Sequence, residues 1–296
     1  MNNDGVLLLP DGMRVGYARY GRAGGVPAFY FHGLPGSRRE GALLHQACSA
    51  ANLDLIAPER PGYGLSQSMP PAMSSTRHRR WTEVIAALAD QLGFERFYVI
   101  GISGGAPYAL ACASVFPARV RATSICCGLG DISQTDLRRV MGLISRAGFF
   151  MAARDPALLK LTYGNVATAA ARLAPGLAVD AMCWLNRKVD RIALQPPAIK
   201  AIFTENLREA FRHGAGGGIA DLQAAVGGWG FDVAQIASLQ LWHGDRDGVV
   251  PHRHSEWLAR QIPAAQLKIV AGEGHFSLPV RYAHEIVQTL VSEFPL

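Results

Sequence analysis

The sequence predicts an α/β fold: a mostly parallel, doubly wound sheet with helices on both faces and an all-helical segment inserted late in it. Three observations carry this. Short apolar runs alternate with helical patterns from Val26 to Cys127, which is how a parallel sheet covered on both faces is written. Near Gly130 the alternation gives way to purely helical patterning, and it resumes at Leu239. The chain of 296 residues is 49% hydrophobic and only 18% charged, so it buries a sizeable core and is not disordered.

Val6–Leu9 and Arg14–Tyr20, joined through Pro10-Asp11-Gly12, read as a hairpin at an antiparallel edge. Val26–Phe31 reads as a buried strand ending at His32-Gly33. Ser37 to Ala51 is patterned as a helix, and Leu53–Ala57 as a strand that stops at Pro58-Glu59-Arg60-Pro61-Gly62. Trp81 to Leu92 places Val84, Ile85, Leu88 and Leu92 at helical spacing. Phe97–Ile100 is a strand followed at once by a helix from Ser103 to Phe116, and Val120–Cys127 is the next strand. Between residues 131 and 232 only helices are expected, broken by Pro156, Pro175 and Pro196-Pro197, with Gly214–Gly218 as a loop. Leu239–Trp242, Arg253–Gln261, Leu267–Val270 and Val280–Phe294 then read as strand, helix, strand and helix. The organisation expected is a core of residues 1–130 and 233–296 with a helical cap over 131–232.

Composition narrows the function. No apolar run approaches the roughly 20 residues of a spanning helix. The opening Met1-Asn2-Asn3-Asp4-Gly5 has no basic region and little apolar length, so no secretory signal is read and a cytoplasmic protein is expected. The five cysteines form no CxxC or Cys/His cluster and read as small buried hydrophobes. The net charge of +6 raises the question of nucleic acid. Its densest run, Arg77-His78-Arg79-Arg80, has no nucleic-acid motif around it and reads as a solvated surface segment.

The chemistry starts at Gly101-Ile102-Ser103-Gly104-Gly105, a G-x-S-x-G pattern between a strand and a helix. The glycines give space for a very tight turn in which Ser103 is strained and its hydroxyl stands clear of the sheet. A serine hydroxyl needs a base. Of the nine histidines, His275 follows the last strand, where an α/β sheet builds its site. His243 precedes Gly244 in what reads as a structural turn. His252 and His254 sit at a helix start and read as exposed.

The base needs an acid to fix its tautomer. Gly244-Asp245-Arg246-Asp247-Gly248-Val249-Val250-Pro251 offers Asp245 and Asp247, and spacing alone does not choose. Asp247 is favoured because it lies deeper in the loop and Asp245 has Arg246 beside it. Asp131 is a third candidate, with a helix N-cap as its ordinary reading. The oxyanion needs two preset donors. The Gly104 amide is one. In His32-Gly33-Leu34-Pro35-Gly36 the proline has no N–H, so the Leu34 amide is the other, with His32 shaping the turn.

Together these residues resemble the α/β-hydrolase family. The motifs are His32-Gly33-Leu34-Pro35-Gly36, Arg60-Pro61-Gly62-Tyr63-Gly64-Leu65-Ser66, Gly101-Ile102-Ser103-Gly104-Gly105, the Gly244–Pro251 segment and Gly274-His275. The order Ser, Asp, His is also the family's. The resemblance implies an eight-stranded sheet with a helical cap after the sixth strand, and it implies Asp247 as the acid. Epoxide hydrolases and haloalkane dehalogenases look similar around His-Gly-x-Pro-Gly but carry Asp as nucleophile, where this chain has Ser103.

The expectation is a serine hydrolase cleaving a carboxylic ester of a small, apolar substrate, with Ser103, His275 and Asp247 catalytic, Leu34 and Gly104 holding the oxyanion, and no cofactor or metal. The competing readings are C–C bond hydrolysis or perhydrolysis by the same triad, and a ligand-binding receptor on this fold.

Overall fold

Eight strands form one sheet: β1 (Asp4–Leu8), β2 (Arg14–Gly21), β3 (Val26–Phe31), β4 (Leu53–Pro58), β5 (Phe97–Ile102), β6 (Val120–Cys126), β7 (Leu239–Gly244) and β8 (Ala265–Val270). The computed structural model describes residues 3–69 and 77–294. The strand order is β1-β2-β4-β3-β5-β6-β7-β8. β1 and β2, and β2 and β4, pair antiparallel; the other neighbours are parallel. The eight-stranded, mostly parallel sheet is therefore as expected. After β3 the chain first builds outward to β4 and then returns to the far side of β3 with β5. That reversal opens a crevice beyond the carboxyl ends of β3 and β5, where α/β sheets bind ligands.

Side chains along a strand alternate between faces, and the two cores follow this. Phe29 and Phe31 join Val99, Leu88 and Leu110 on one face, while Ala28 and Tyr30 join Ile100, Leu55 and Leu290 on the other. The first face is covered by α2 (Arg77–Leu92), α3 (Ala106–Val115) and α12 (Arg253–Gln261), the second by α1 (His45–Ala50) and α14 (Ala283–Glu293). Each buried leucine, isoleucine, valine or phenylalanine among them contributes about 1.5–3 kcal/mol. The cysteines Cys48, Cys112, Cys126, Cys127 and Cys183 are all buried and free.

Between β6 and β7 lie α4 (Thr135–Val140), α5 (Leu143–Arg154), α6 (Pro156–Leu159), α7 (Asn165–Leu173), α8 (Pro175–Leu185), α9 (Lys188–Ala193), α10 (Pro197–Ala210) and α11 (Gly216–Val226). A π-helical segment, Lys160–Gly164, links α6 to α7. Pro156, Pro175 and Pro197 begin helices, where a missing N–H costs nothing. A short helix α13 (Ser277–Arg281) precedes α14.

Several local expectations need correction. Ser37–Ala51 is a 3-10 turn over Arg38–Leu44 before α1. The last helix is divided at Tyr282. Gly216–Gly218 belong to α11 rather than a loop. A Cβ on Gly217 would lie 2.8 Å from the Gly62 carbonyl, so glycine here permits two backbones to meet. Among the described residues no helix is long and apolar enough to cross a membrane.

The basic run at the start of α2 is not a solvated surface. Arg79 is exposed, but Arg77 and His78 are buried. Arg77 donates to Asp221 Oδ1 at 2.6 Å, and Arg60 donates to Asp221 Oδ2 at 2.8 Å. The hydroxyls of Tyr63 and Tyr108 donate to the same carboxylate at 2.9 and 2.7 Å. Burial opposes the Asp221 charge, but the two guanidiniums more than offset it and hold its carboxyl well below the usual range. Asp221 on α11 thus anchors the insertion to the loop after β4 and to α2 and α3. Asp221→Ala leaves two buried guanidiniums unpaired and is expected to cost about 3–5 kcal/mol of unfolding free energy. Because the folded carboxyl titrates below its unfolded value, this stabilisation is fully present at neutral pH and is lost as pH falls through the folded pKa. Denaturant titration at neutral pH measures it; a loss under about 1 kcal/mol would mean the anchor is not Asp221.

Candidate active site

β5 runs straight into a one-turn 3-10 helix over Ser103–Gly105 and then α3. The turn forces Ser103 to φ +52°, the left-handed region that costs an L side chain energy and persists only where the surroundings dictate it. The flanking glycines are required by contact. A Cβ on Gly105 would sit 2.1 Å from the Phe31 carbonyl oxygen, and one on Gly101 would sit 2.8 Å from Ala109 Cβ. Smallness at these positions lets β3, β5 and α3 close on one another.

His275 lies in the loop after β8, buried, with Nε2 3.0 Å from Ser103 Oγ. Its Nδ1 is 2.7 Å from Asp247 Oδ2. The other oxygen, Oδ1, accepts from the Val249 and Val250 amides, both at 2.8 Å. Burial disfavours the imidazolium, but the Asp247 carboxylate outweighs it and lifts the His275 pKa well above 6.5. Burial likewise opposes the Asp247 charge, and the neighbouring His275 and His243 overcome it and hold the carboxyl well below the carboxylate range. Of Asp131, Asp245 and Asp247, it is thus Asp247 that meets His275. Asp245 accepts from the Gly272 amide at 2.7 Å, and Asp131 from the Ser133 amide at 2.9 Å.

The loop after β3 brings Leu34 beside Ser103. A Cβ on Gly104 would lie 3.2 Å from the Leu34 amide nitrogen, so the Leu34 and Gly104 backbones face each other across a narrow gap. Among the described residues the Leu34 amide has no hydrogen-bond acceptor. Arg60 sets the orientation of this loop, donating to the carbonyls of His32 at 2.6 Å and Gly33 at 2.7 Å. His32 accepts from the Arg60 amide at Nε2 and faces the Gly33 carbonyl at 2.9 Å with Nδ1. Burial pushes its pKa well below 6.5, so its ring is neutral and structural. Glu40 accepts from the Gly33 amide at 2.5 Å.

Three residues at this site carry no signal in the local sequence. Asp190, on α9 of the insertion, accepts from the amides of Phe276 and Ser277 at 2.8 Å and of His275 at 3.2 Å. A Cβ on Gly274 would strike that carboxylate at 2.4 Å, which explains the glycine before the histidine. His243 is buried beneath Asp247. Its Nδ1 lies 2.7 Å from the Ser255 hydroxyl, and its Nε2 faces Asp247 Oδ2 at 3.1 Å and the Val250 carbonyl at 2.8 Å. Two acceptors at Nε2 require the proton there, so His243 donates to the acid. His254 is buried rather than exposed, and its Nδ1 accepts from the Gly130 amide at 3.1 Å. Cys127, His243 and Asp247 offer three potential metal-ligand atoms within 4.8 Å of one another, but the histidine and aspartate atoms are already hydrogen-bonded as above.

Two cavities meet at Ser103, sharing Leu34, Pro35 and Val249 as walls. The larger, about 370 Å³, lies under α5 and α11 and is lined by side chains such as Leu129, Met141, Phe149, Phe211, Ile219 and Leu222. Among the described residues no charged side chain lines it. The smaller, about 110 Å³, includes His275, Phe276, Phe203, Asn206 and Glu40.

A model of the alpha/beta hydrolase fold matches residues 29–282. A 2-hydroxymuconate semialdehyde hydrolase of Pseudomonas putida is 27% identical over 259 residues, 86% of this chain and 82% of that protein. An esterase from Exiguobacterium antarcticum superposes with a TM-score of 0.65 at 16% identity, covering 100% of both chains. An epoxide hydrolase from Vigna radiata superposes with a TM-score of 0.71 at 15% identity, covering 99% of this chain and 97% of the other. At such identities these two structures speak for the fold only.

Proposed function

The chain belongs to the alpha/beta hydrolase fold family, and from that premise we propose that it is a serine hydrolase cleaving carboxylic esters of uncharged, apolar acids. The observation that carries this is the contact series from Ser103 through His275 to Asp247 at the wall of a cavity whose described lining is apolar and uncharged. Ser103 Oγ attacks the ester carbonyl and His275 Nε2 takes its proton. The tetrahedral oxyanion is held by the Leu34 and Gly104 amides; each such donor is worth about 10²–10³ in kcat. His275 returns the proton to the departing alkoxide, which leaves as the alcohol. Water, activated by the same ring, then releases the acid from Ser103. Residues 131–232 act as the cap that supplies the substrate cavity.

The leaving oxygen must come within reach of His275, so the alcohol occupies the smaller cavity, which His275 lines. The acyl chain fills the larger one. The relative acting on 2-hydroxymuconate semialdehyde raises C–C hydrolysis as a second reading. A muconate carries a carboxylate, and among the described residues no lysine or arginine lines either cavity, so the ester reading is favoured.

The test is a series of ethyl esters of lengthening straight-chain acids, followed in a pH-stat. Each methylene buried contributes about 0.8 kcal/mol, so kcat/KM is expected to climb roughly fourfold per carbon until the cavity is full. A profile that falls from the acetyl ester onward, or turnover confined to anionic substrates, would overturn the assignment.

A further inference from the structure

The helices of the insertion carry two apolar faces. One lines the cavity; the other points to solvent. Leu143 and Phe150 on α5, Val166 and Leu173 on α7, and Leu177 and Trp184 on α8 are each seven residues apart, so each pair shares one helix face. All are exposed, Leu143 at 79%, Leu173 at 85% and Trp184 at 73%. The segments touch in succession, α5 to α6, α6 to the π-helical segment, that segment to α7, and α7 to α8. Soluble monomers rarely leave this many large apolar side chains exposed on neighbouring segments without a partner.

The same stretch is strongly basic. Residues 138–191 contain nine arginines and lysines against three acids, an excess equal to the net charge of the whole chain. Arg139, Arg146, Arg154, Lys160, Arg187 and Lys188 are exposed. One of the acids, Asp190, is buried in the His275 loop, and another, Asp180, is paired with Lys200 at 2.6 Å. Guanidinium groups flank the aromatic rings, Arg154 at 5.0 Å from Phe150 and Arg191 at 4.8 Å from Trp184. Two exposed residues, Ile144 and Tyr163, also line the larger cavity, so its mouth opens on this surface.

We propose that this outer face of the insertion docks on an anionic phospholipid bilayer, its leucines and Trp184 entering the acyl boundary while arginines and lysines meet the headgroup phosphates. Apolar side chains ringed by bases are what interfacial association requires, and an indole suits the boundary between acyl chain and headgroup. A second copy of the chain is the poorer occupant. A two-fold dimer sets a patch against itself, which here would oppose two surfaces of like charge. The proposal does not depend on the chemistry at Ser103.

Vesicle sedimentation tests it with the full chain, using liposomes of equal parts phosphatidylcholine and phosphatidylglycerol, and of phosphatidylcholine alone. The protein is expected to pellet with the anionic liposomes at low salt, with a blue shift of tryptophan emission, and to be released by high salt. Combined Phe150→Ser, Leu173→Ser, Leu177→Ser and Trp184→Ser is expected to weaken binding by roughly a hundredfold or more. Combined Arg146→Glu, Arg154→Glu and Lys160→Glu is expected to weaken it roughly a hundredfold. All seven side chains are exposed, so circular dichroism should match the wild type, and both variants must be folded by that measure. The idea is overturned if the wild-type protein stays in the supernatant with anionic liposomes at low salt, or binds neutral liposomes equally. It is also overturned if sedimentation velocity shows a dimer that the serine variant dissolves while no liposome binds.

Discussion

Ser103→Ala is expected to lose on the order of 10⁶ in kcat on the best ester of the series, because a triad without its nucleophile loses nearly all triad catalysis. What remains is expected to be roughly 10³–10⁴ over water, from the oxyanion donors and binding alone. The fold should be unaffected. Alanine has a Cβ like serine and meets the same backbone strain at φ +52°, and among the described residues the hydroxyl's side-chain partner is His275. Thermal unfolding of the variant should therefore overlay that of the parent. A fluorophosphonate should label the wild-type chain once, at Ser103, and leave the variant unlabelled. Labelling without ester turnover would favour the receptor reading of the fold, and near-parental turnover in a clean variant would remove Ser103 from the mechanism.

What the sequence makes legible is whatever is written locally. The nucleophile turn is five consecutive residues between a strand and a helix, and the clashes that demand Gly101 and Gly105 arise from elements it directly joins. The strand–helix alternation is local too, so the sheet and the helical insertion are legible. What escapes a local reading depends on partners distant in sequence. Arg77 looks like a surface base until Asp221, 144 residues later, is placed against it. Asp190 looks like one more helix acid, yet it gathers the amides of a loop 85 residues on. His243 reads as part of a turn because its nearness to Asp247 in sequence says nothing of which way either ring or carboxylate points. His254 reads as exposed because a helix start usually is; the chain leaving β6 covers it through Gly130.

The choice among the aspartates yields the other large effect. Asp247→Asn is expected to lower kcat by about 10⁴, as an amide at a triad acid holds the histidine in the wrong tautomer. The hydrogen bonds around Asp247 explain why the amide cannot rotate out of difficulty. The Val249 and Val250 amides both donate to Oδ1 and will claim the one oxygen of asparagine. Its NH2 then faces His275 Nδ1 and His243 Nε2. His275 must accept at Nδ1, so its proton moves to Nε2, where it can no longer receive the proton of Ser103. Asp245→Asn and Asp131→Asn keep an oxygen for the single amide each one binds, and should cost less than about 1 kcal/mol in the barrier. The pH profile supplies an independent readout. In the parent, kcat/KM should rise with pH through a pKa above 6.5, because His275 works as a base only after losing the proton that Asp247 stabilises. In Asp247→Asn the carboxylate is gone and burial remains, so the acid limb of the residual activity should move to lower pH. An active Asp247→Asn beside a dead Asp245→Asn or Asp131→Asn, or an acid limb that stays in place, would mean that a different carboxylate serves His275.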